Sequence, residues 1–222
     1  MPGTGELGIF VIGVGGAGCQ AASEIGIAGI EGVTTVGIDT HTQKLLSEEL
    51  LPGLNYRIQI GKDVTKGGSA GGDPETGRKA VEQNKNEPCL IASTIKEKKP
   101  DIIFIAAGMG RGTGTGASPD IAKIAQESGA LVISVVSIPF PFEGRKAMMM
   151  ALEGAEKLES SVDAMIVIDN KKMLTIFGED LTIEALVRKS GTLLLETMKS
   201  IIRVARCEGD INVDFADMKT VL

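Results

Sequence analysis

The sequence has no tryptophan, one tyrosine and one histidine among 222 residues, and its aromatic content is 3%. A core so short of aromatics must be filled by Ile, Val, Leu, Ala and Met, in keeping with a hydrophobic content of 43%. The lone histidine, His41, and three scattered cysteines, Cys19, Cys89 and Cys207, form no CxxC and no metal-ligand spacing. Thiols so dispersed fit a reducing compartment. Basic charge is also short: 23 Lys and Arg stand against 29 Asp and Glu, for a net charge of −6. No basic cluster interleaves with aromatics, which speaks against nucleic-acid binding. No stretch approaches the ~18 apolar residues of a membrane span, and the N-terminus lacks a basic segment followed by an apolar one. The expectation is a soluble, cytoplasmic protein with no direct membrane insertion. The GxxxxGK[ST] phosphate-loop signature is missing too, which disfavours the ordinary ATPase and GTPase class.

What is present is alternation. Apolar runs at 8–14, 32–39, 55–61, 101–107, 130–138 and 163–169 read as strands. Most are near-continuous and β-branched, as in parallel strands covered on both faces. Between them, residues 17–29, 75–98 (broken at Pro88), 117–128 and 145–160 read as helices. A longer helix spans 181–206, with apolar residues at three- and four-residue steps from Ile183 to Ala205. The predicted fold is α/β: a doubly wound, mostly parallel sheet with helices on both faces and a long C-terminal helix.

In such sheets the loops after the strands bind ligands. The first, "GVGGAG", contains Gly13-x-Gly15-x-x-Gly18, and Asp39 follows at the end of the second strand. That spacing suits a dinucleotide, with the acid on a ribose; tight strand–helix packing is the other reading. The second, "KGGSAGGDP" (66–74), precedes a helix for which Asp73-Pro74 is a start signal. The third, "GMGRGTGTG" (108–116), holds five glycines and two threonines. Three glycine-rich loops converging on one crevice fit a triphosphate better than a pyrophosphate. Thr113 and Thr115 carry hydroxyls suited to phosphate or to capping the following helix. Cys19 at a helix start is either an activated thiol or a small packing residue.

These loops together resemble the tubulin/FtsZ family. "GMGRGTGTG" resembles its GGGTGTG phosphate signature. "VIGVGGAG" is similar to its first phosphate loop and "TKGGSAGGDPETGR" to its third. "PFPFEG" (139–144) is similar to its ribose loop, and "DNKKML" (169–174) to the segment carrying a base-contacting Asn. "NVDFADMKTVL" (212–222) matches the synergy loop after the central helix, on the FtsZ side of the family. The resemblance implies a GTPase acting in cell division, with GTP or GDP bound and Mg²⁺ held through phosphates and water rather than by direct protein ligands. It implies nucleotide contacts from Gly15, Gly16, Ala17, Gly18, Gln20 and Asp39. A second group is Ala70, Gly71 and Gly72. A third is Gly108, Gly110, Arg111, Gly112, Thr113, Gly114, Thr115 and Gly116. Pro139 and Glu143 fall at the ribose, and Asn170, Leu186 and Ser190 at the base. Catalysis falls to Asn212, Asp214 and Asp217, acting on the nucleotide of the next subunit in a head-to-tail filament. Partners implied are a second copy, a full-length FtsZ homologue, and membrane adaptors reached through a tail.

Several positions depart from the family pattern. Ala147 stands in place of an arginine, Leu186 in place of a stacking aromatic, and Ser190 in place of an acid or amide that reads guanine. Arg111 stands where the family most often has glycine, so its backbone must accept a Cβ. Its guanidinium is free to face the γ-phosphate, the next subunit or solvent. The expected organisation is a nucleotide domain over 1–206, its central helix at about 180–206, and the synergy loop at 207–222. The family's second α+β domain is missing, so weak polymerisation is expected. A non-hydrolysing regulator of a full-length homologue is the alternative reading, and an NAD-dependent oxidoreductase a remote one.

Overall fold

A computed structural model describes residues 7–85, 90–177 and 181–206. Six strands form one sheet: β1 (Ile9–Val14), β2 (Val33–Asp39), β3 (Tyr56–Gln59), β4 (Ile102–Gly108), β5 (Leu131–Ile138) and β6 (Ala164–Asp169). Their order is β3-β2-β1-β4-β5-β6, and every pairing is parallel. The carboxyl ends of all six therefore lie along one edge. The chain reverses its winding direction between β1 and β4, which opens a crevice there.

The continuous apolar runs have a direct cause: the sheet is buried on both faces. Along β1, Phe10, Ile12 and Val14 face one helical layer, while Ile9 and Val11 face the other. Along β4, Ile103, Ile105 and Ala107 alternate in the same way with Ile102, Phe104 and Ala106. The first layer is α4 (Pro74–Lys85), α5 (Leu90–Lys98), α6 (Gly112–Gln126) and α7 (Arg145–Glu159). The second contains α1 (Gly15–Ile27), α2 (Thr42–Leu46), α8 (Asn170–Phe177) and α9 (Ile183–Arg206). A single turn, α3 (Lys62–Thr65), follows β3.

The doubly wound fold is as expected, with its long last helix, and the sheet is wholly parallel rather than mostly so. Three short helices, α2, α3 and α8, had no periodicity long enough to announce them. Pro88 lies outside the described residues, between α4 and α5. The largest shift is at α6, which starts at Gly112 rather than 117, so the GTGTG run is its first turn and a half. Glycine is a poor helix former, but here close packing selects it. A Cβ on Gly112 would come within 2.5 Å of the Ala70 methyl, and one on Gly116 within 1.8 Å of the Pro74 carbonyl.

Candidate functional site

Two helix N-termini meet over the crevice between β1 and β4. The first turn of α1 follows β1 without a break, and that of α6 follows β4 after a three-residue bend. They are nearly in contact: a Cβ on Gly15 would lie 2.9 Å from the Gly114 nitrogen. Neither start is capped by a side chain, since the cap residues Val14 and Arg111 make no capping hydrogen bond. Each leaves first-turn amides for a ligand, with the positive end of the helix dipole behind them. By contrast, Asp73 caps α4. Its carboxylate accepts from the Thr76 hydroxyl at 2.7 Å and from the Glu75 and Thr76 amides at 3.1 and 3.2 Å. The Thr76 hydroxyl is the chief reason that carboxyl is held below its ordinary range.

A cavity of about 1030 Å³ opens in front of these starts. Gly15, Gly16, Ala17 and Gln20 line it from α1, and Asp39 from the end of β2. Ala70 and Gly72 reach it from the loop before α4. Gly108, Arg111, Gly112, Thr113 and Gly114 form the wall at α6, while Pro139, Glu143, Asn170 and Ser190 close the far side. Residues scattered over 170 positions of sequence are thus gathered at one edge of the sheet. A polyphosphate fits this donor set. Gly16 and Gly72 have open space where a Cβ would stand, so a ligand can approach the backbone there.

Other expected residues take different places. Gly18 and Gly116 pack helices rather than line the cavity: a Cβ on Gly18 would lie 2.1 Å from the Ala106 carbonyl oxygen. Gly110 has a φ of 94° and is pressed against Pro139. Gly71, at φ 62°, faces open space beside the wall residue Gly72. Thr115 is 3% exposed, and its hydroxyl accepts from the Gly110 and Arg111 amides at 2.8 and 3.1 Å, holding the bend before α6. Thr113 is buried with its hydroxyl 3.0 Å from that of Thr40. The Asp39 carboxylate in turn accepts from the Thr40 amide at 2.7 Å. Gln20 donates to Glu24 at 3.1 Å.

On α9, Leu186 is 2% exposed and points into the core beneath the helix. The cavity is lined instead by Ile183 and Val187, which are solvent-facing and one turn apart. Their i, i+4 spacing was visible in the sequence, but not which side of the helix would face the cavity. Buried Ser190 donates to the Asn170 side-chain oxygen at 2.6 Å. His41 and Lys44, in the segment after β2, also reach the wall. The His41 imidazole Nδ1 accepts from the Lys44 amide at 3.3 Å and starts α2. Asn212, Asp214 and Asp217 lie outside the described residues.

Arg111 has φ −126° and ψ −174°, an extended backbone that carries a Cβ without strain. Its guanidinium donates to Glu143 Oε2 at 3.1 Å. Cys19 is packed 1% exposed behind the first loop, with its thiol 3.4 Å from the Gly13 carbonyl and 3.6 Å from that of Ile38. Burial, and next the Asp39 charge, push this thiol far above its usual range. The packing reading of Cys19 therefore holds. N-ethylmaleimide applied to the native protein should leave Cys19 unmodified by peptide mass mapping, and label it only after denaturation. Labelling at the rate of a free thiol would contradict that burial.

Among the described residues no group of His, Cys, Asp and Glu is clustered to hold a metal directly. None of the described helices is long and apolar enough to cross a membrane.

Comparison with known proteins adds the following. A family model described as the GTPase domain of the tubulin/FtsZ family matches residues 8–178. The chain is 43% identical over 214 residues to the cell division protein FtsZ of Pseudomonas aeruginosa, covering 96% of this chain and 52% of that protein. It is 36% identical to cell division protein FtsZ 1 of Methanocaldococcus jannaschii, covering 96% and 56%. The solved structure of an empty FtsZ dimer from M. jannaschii superposes with a TM-score of 0.88 at 36% identity, covering 98% of this chain and 60% of that one. The chain spans about half the length of the curated relatives it matches.

Proposed function

The chain belongs to the tubulin/FtsZ GTPase family, and on that premise we propose that its cavity binds GTP and GDP. We propose further that GTP is hydrolysed when subunits stack head to tail, in the manner of a cell-division filament. The observation that carries the binding reading is the pair of uncapped helix starts, α1 and α6, facing one glycine-lined crevice. Backbone amides there suit phosphate oxygens and cost no side-chain ordering. Glu143, on the β5 side, supplies a carboxylate for ribose hydroxyls. Mg²⁺, arriving with the nucleotide, supplies neutralisation of phosphate charge, a need increased by the nearby carboxylates Asp39 and Glu143. Asn212, Asp214 and Asp217 would orient the attacking water in the neighbouring subunit's site. The partner is a second copy of this chain or a full-length homologue.

The test is the nucleotide retained by the purified protein, identified after denaturation, together with titration by GTP and GDP. Guanosine nucleotide recovered and binding saturable at one site per chain is the expected result. A recovered nicotinamide dinucleotide, or no heat with either guanosine nucleotide, would overturn the reading.

The base wall permits a sharper expectation. Guanine presents two donors, N1–H and the 2-amino group, on the edge that family members read. Here the two residues aligned with that edge, Asn170 and Ser190, are an amide and a hydroxyl bonded to each other, and neither is a carboxylate. Ser190→Asp would supply one and is expected to raise the preference for GTP over inosine triphosphate, which lacks the 2-amino group, by about tenfold. Competition binding reads this directly. An unchanged ratio would mean that Ser190 does not face the base.

A further inference from the structure

The Arg111–Glu143 pair is unexplained by phosphate binding alone. It joins residues 32 positions apart, one at the start of α6 and one in the loop after β5. Those two loops already touch. A Cβ on Gly110 would lie 2.3 Å from the Pro139 ring, and the Met109 amide donates to the Ser137 carbonyl at 2.8 Å. Glu143 is held at both oxygens: Oε1 accepts from the Phe140 amide at 3.1 Å, and Oε2 from Arg111 at 3.1 Å. The glutamate is three-quarters buried, with 24% of its side chain exposed, whereas Arg111 is 79% exposed. Both line the cavity.

We propose that Arg111 is a positioning residue for ribose recognition: it holds the Glu143 carboxylate in place and offsets its charge, so that ribose hydroxyls meet a preset acceptor. The proposal rests on the reading of the cavity as a nucleotide site with Glu143 at the ribose. A carboxylate has about four lone-pair sites, so two held oxygens still accept further hydrogen bonds. Without Arg111, the Phe140 amide is the one hydrogen bond left to that carboxylate among the described residues. Binding must then order a long, flexible glutamate and bring a bare negative charge toward phosphates. The guanidinium fits the task better than an ammonium, because its planar fork loses less freedom per hydrogen bond.

The experiment measures the affinity of the full chain for GTP and for 2′,3′-dideoxy-GTP, which keeps the base and phosphates but lacks both ribose hydroxyls. The ratio of the two dissociation constants isolates the hydroxyl contribution and cancels any direct effect of Arg111 on the phosphates. Arg111→Gln is expected to shrink this ratio by about two- to tenfold. Glu143→Gln keeps an oxygen for the Phe140 amide and should shrink it at least as much. The double variant should fall no further than Glu143→Gln alone, and Arg111→Lys should restore part of the ratio.

Lower GTP affinity at an unchanged ratio would assign Arg111 to the phosphates and overturn the proposal. So would additive effects in the double variant, or no change at all on Arg111→Gln. No binding of GTP by the wild-type chain would instead remove the nucleotide reading itself. A ratio near one in the wild type, with GTP bound, would remove Glu143 from the ribose.

Discussion

Asp214→Ala is expected to abolish trans-activation of a neighbouring site while leaving nucleotide binding to the chain itself unchanged. The assay pairs this chain with a full-length relative whose own matching aspartate has been replaced, so that phosphate release depends on the loop supplied in trans. Wild-type chain should restore release; the Asp214→Ala chain should release phosphate at least ~100-fold more slowly, the size of effect expected when a group that orients or deprotonates the attacking water is lost. The physical basis is charge. A carboxylate close to the triphosphate of its own subunit would be repelled, whereas one delivered by assembly arrives only when the filament contact offsets that cost. Asp217→Ala should behave alike. Equal rescue by wild type and Asp214→Ala would end the catalytic assignment and favour a regulator that binds nucleotide without hydrolysing it.

The second large effect separates two glycines in one motif. Gly18→Ala places a methyl group 2.1 Å from the Ala106 carbonyl oxygen, a backbone atom of β4 that has no room to yield. The helix must back away from the sheet, and the change is expected to cost about 2–4 kcal/mol even after alanine's better helix propensity. For a chain of this length that is a fall of roughly 5–15 °C in Tm. Gly16→Ala meets nothing within 4 Å. It should leave the Tm unchanged or slightly raised, yet lower nucleotide affinity by at least about tenfold, because the methyl occupies space the phosphates would use. Thermal melts of both variants without nucleotide, followed by titration, check the pair. A Gly18→Ala protein as stable as wild type would show that α1 does not sit against β4 as described.

The same motif shows how far local patterns reach. The GxGxxG spacing reads as phosphate binding or as packing, and the structure divides the loop between the cavity and the sheet: Gly15 and its neighbour Gly16 line the cavity, while Gly18 packs against β4. The GTGTG run divides likewise. Gly112, Thr113 and Gly114 line the wall, while Thr115 braces the bend and Gly116 seats α6 against α4. Its boundary was misplaced by five residues because glycine's propensity argues against helix, and only close tertiary packing outweighs it. The base side was less legible. Successive residues point about 100° apart on a helix, so moving from Leu186 to Val187 exchanges core for cavity wall. No motif fixes that rotation without the sheet against which α9 packs.

Strand positions, the sheet covered on both faces along its central strands and the glycine-rich loops at its carboxyl edge were written in local patterns, because burial on both faces demands unbroken apolar runs and tight turns demand glycine. Family membership rested on motifs of the same kind. The pairing of Arg111 with Glu143, the donation by Ser190 to Asn170 and the choice of Ile183 and Val187 over Leu186 were not written there. Each depends on which distant segment lands beside the residue, at separations of 32 positions for the ion pair and 20 for the serine and asparagine. Chain separation carries no distance; only the packed sheet and its two helical layers turn those separations into contacts near 3 Å.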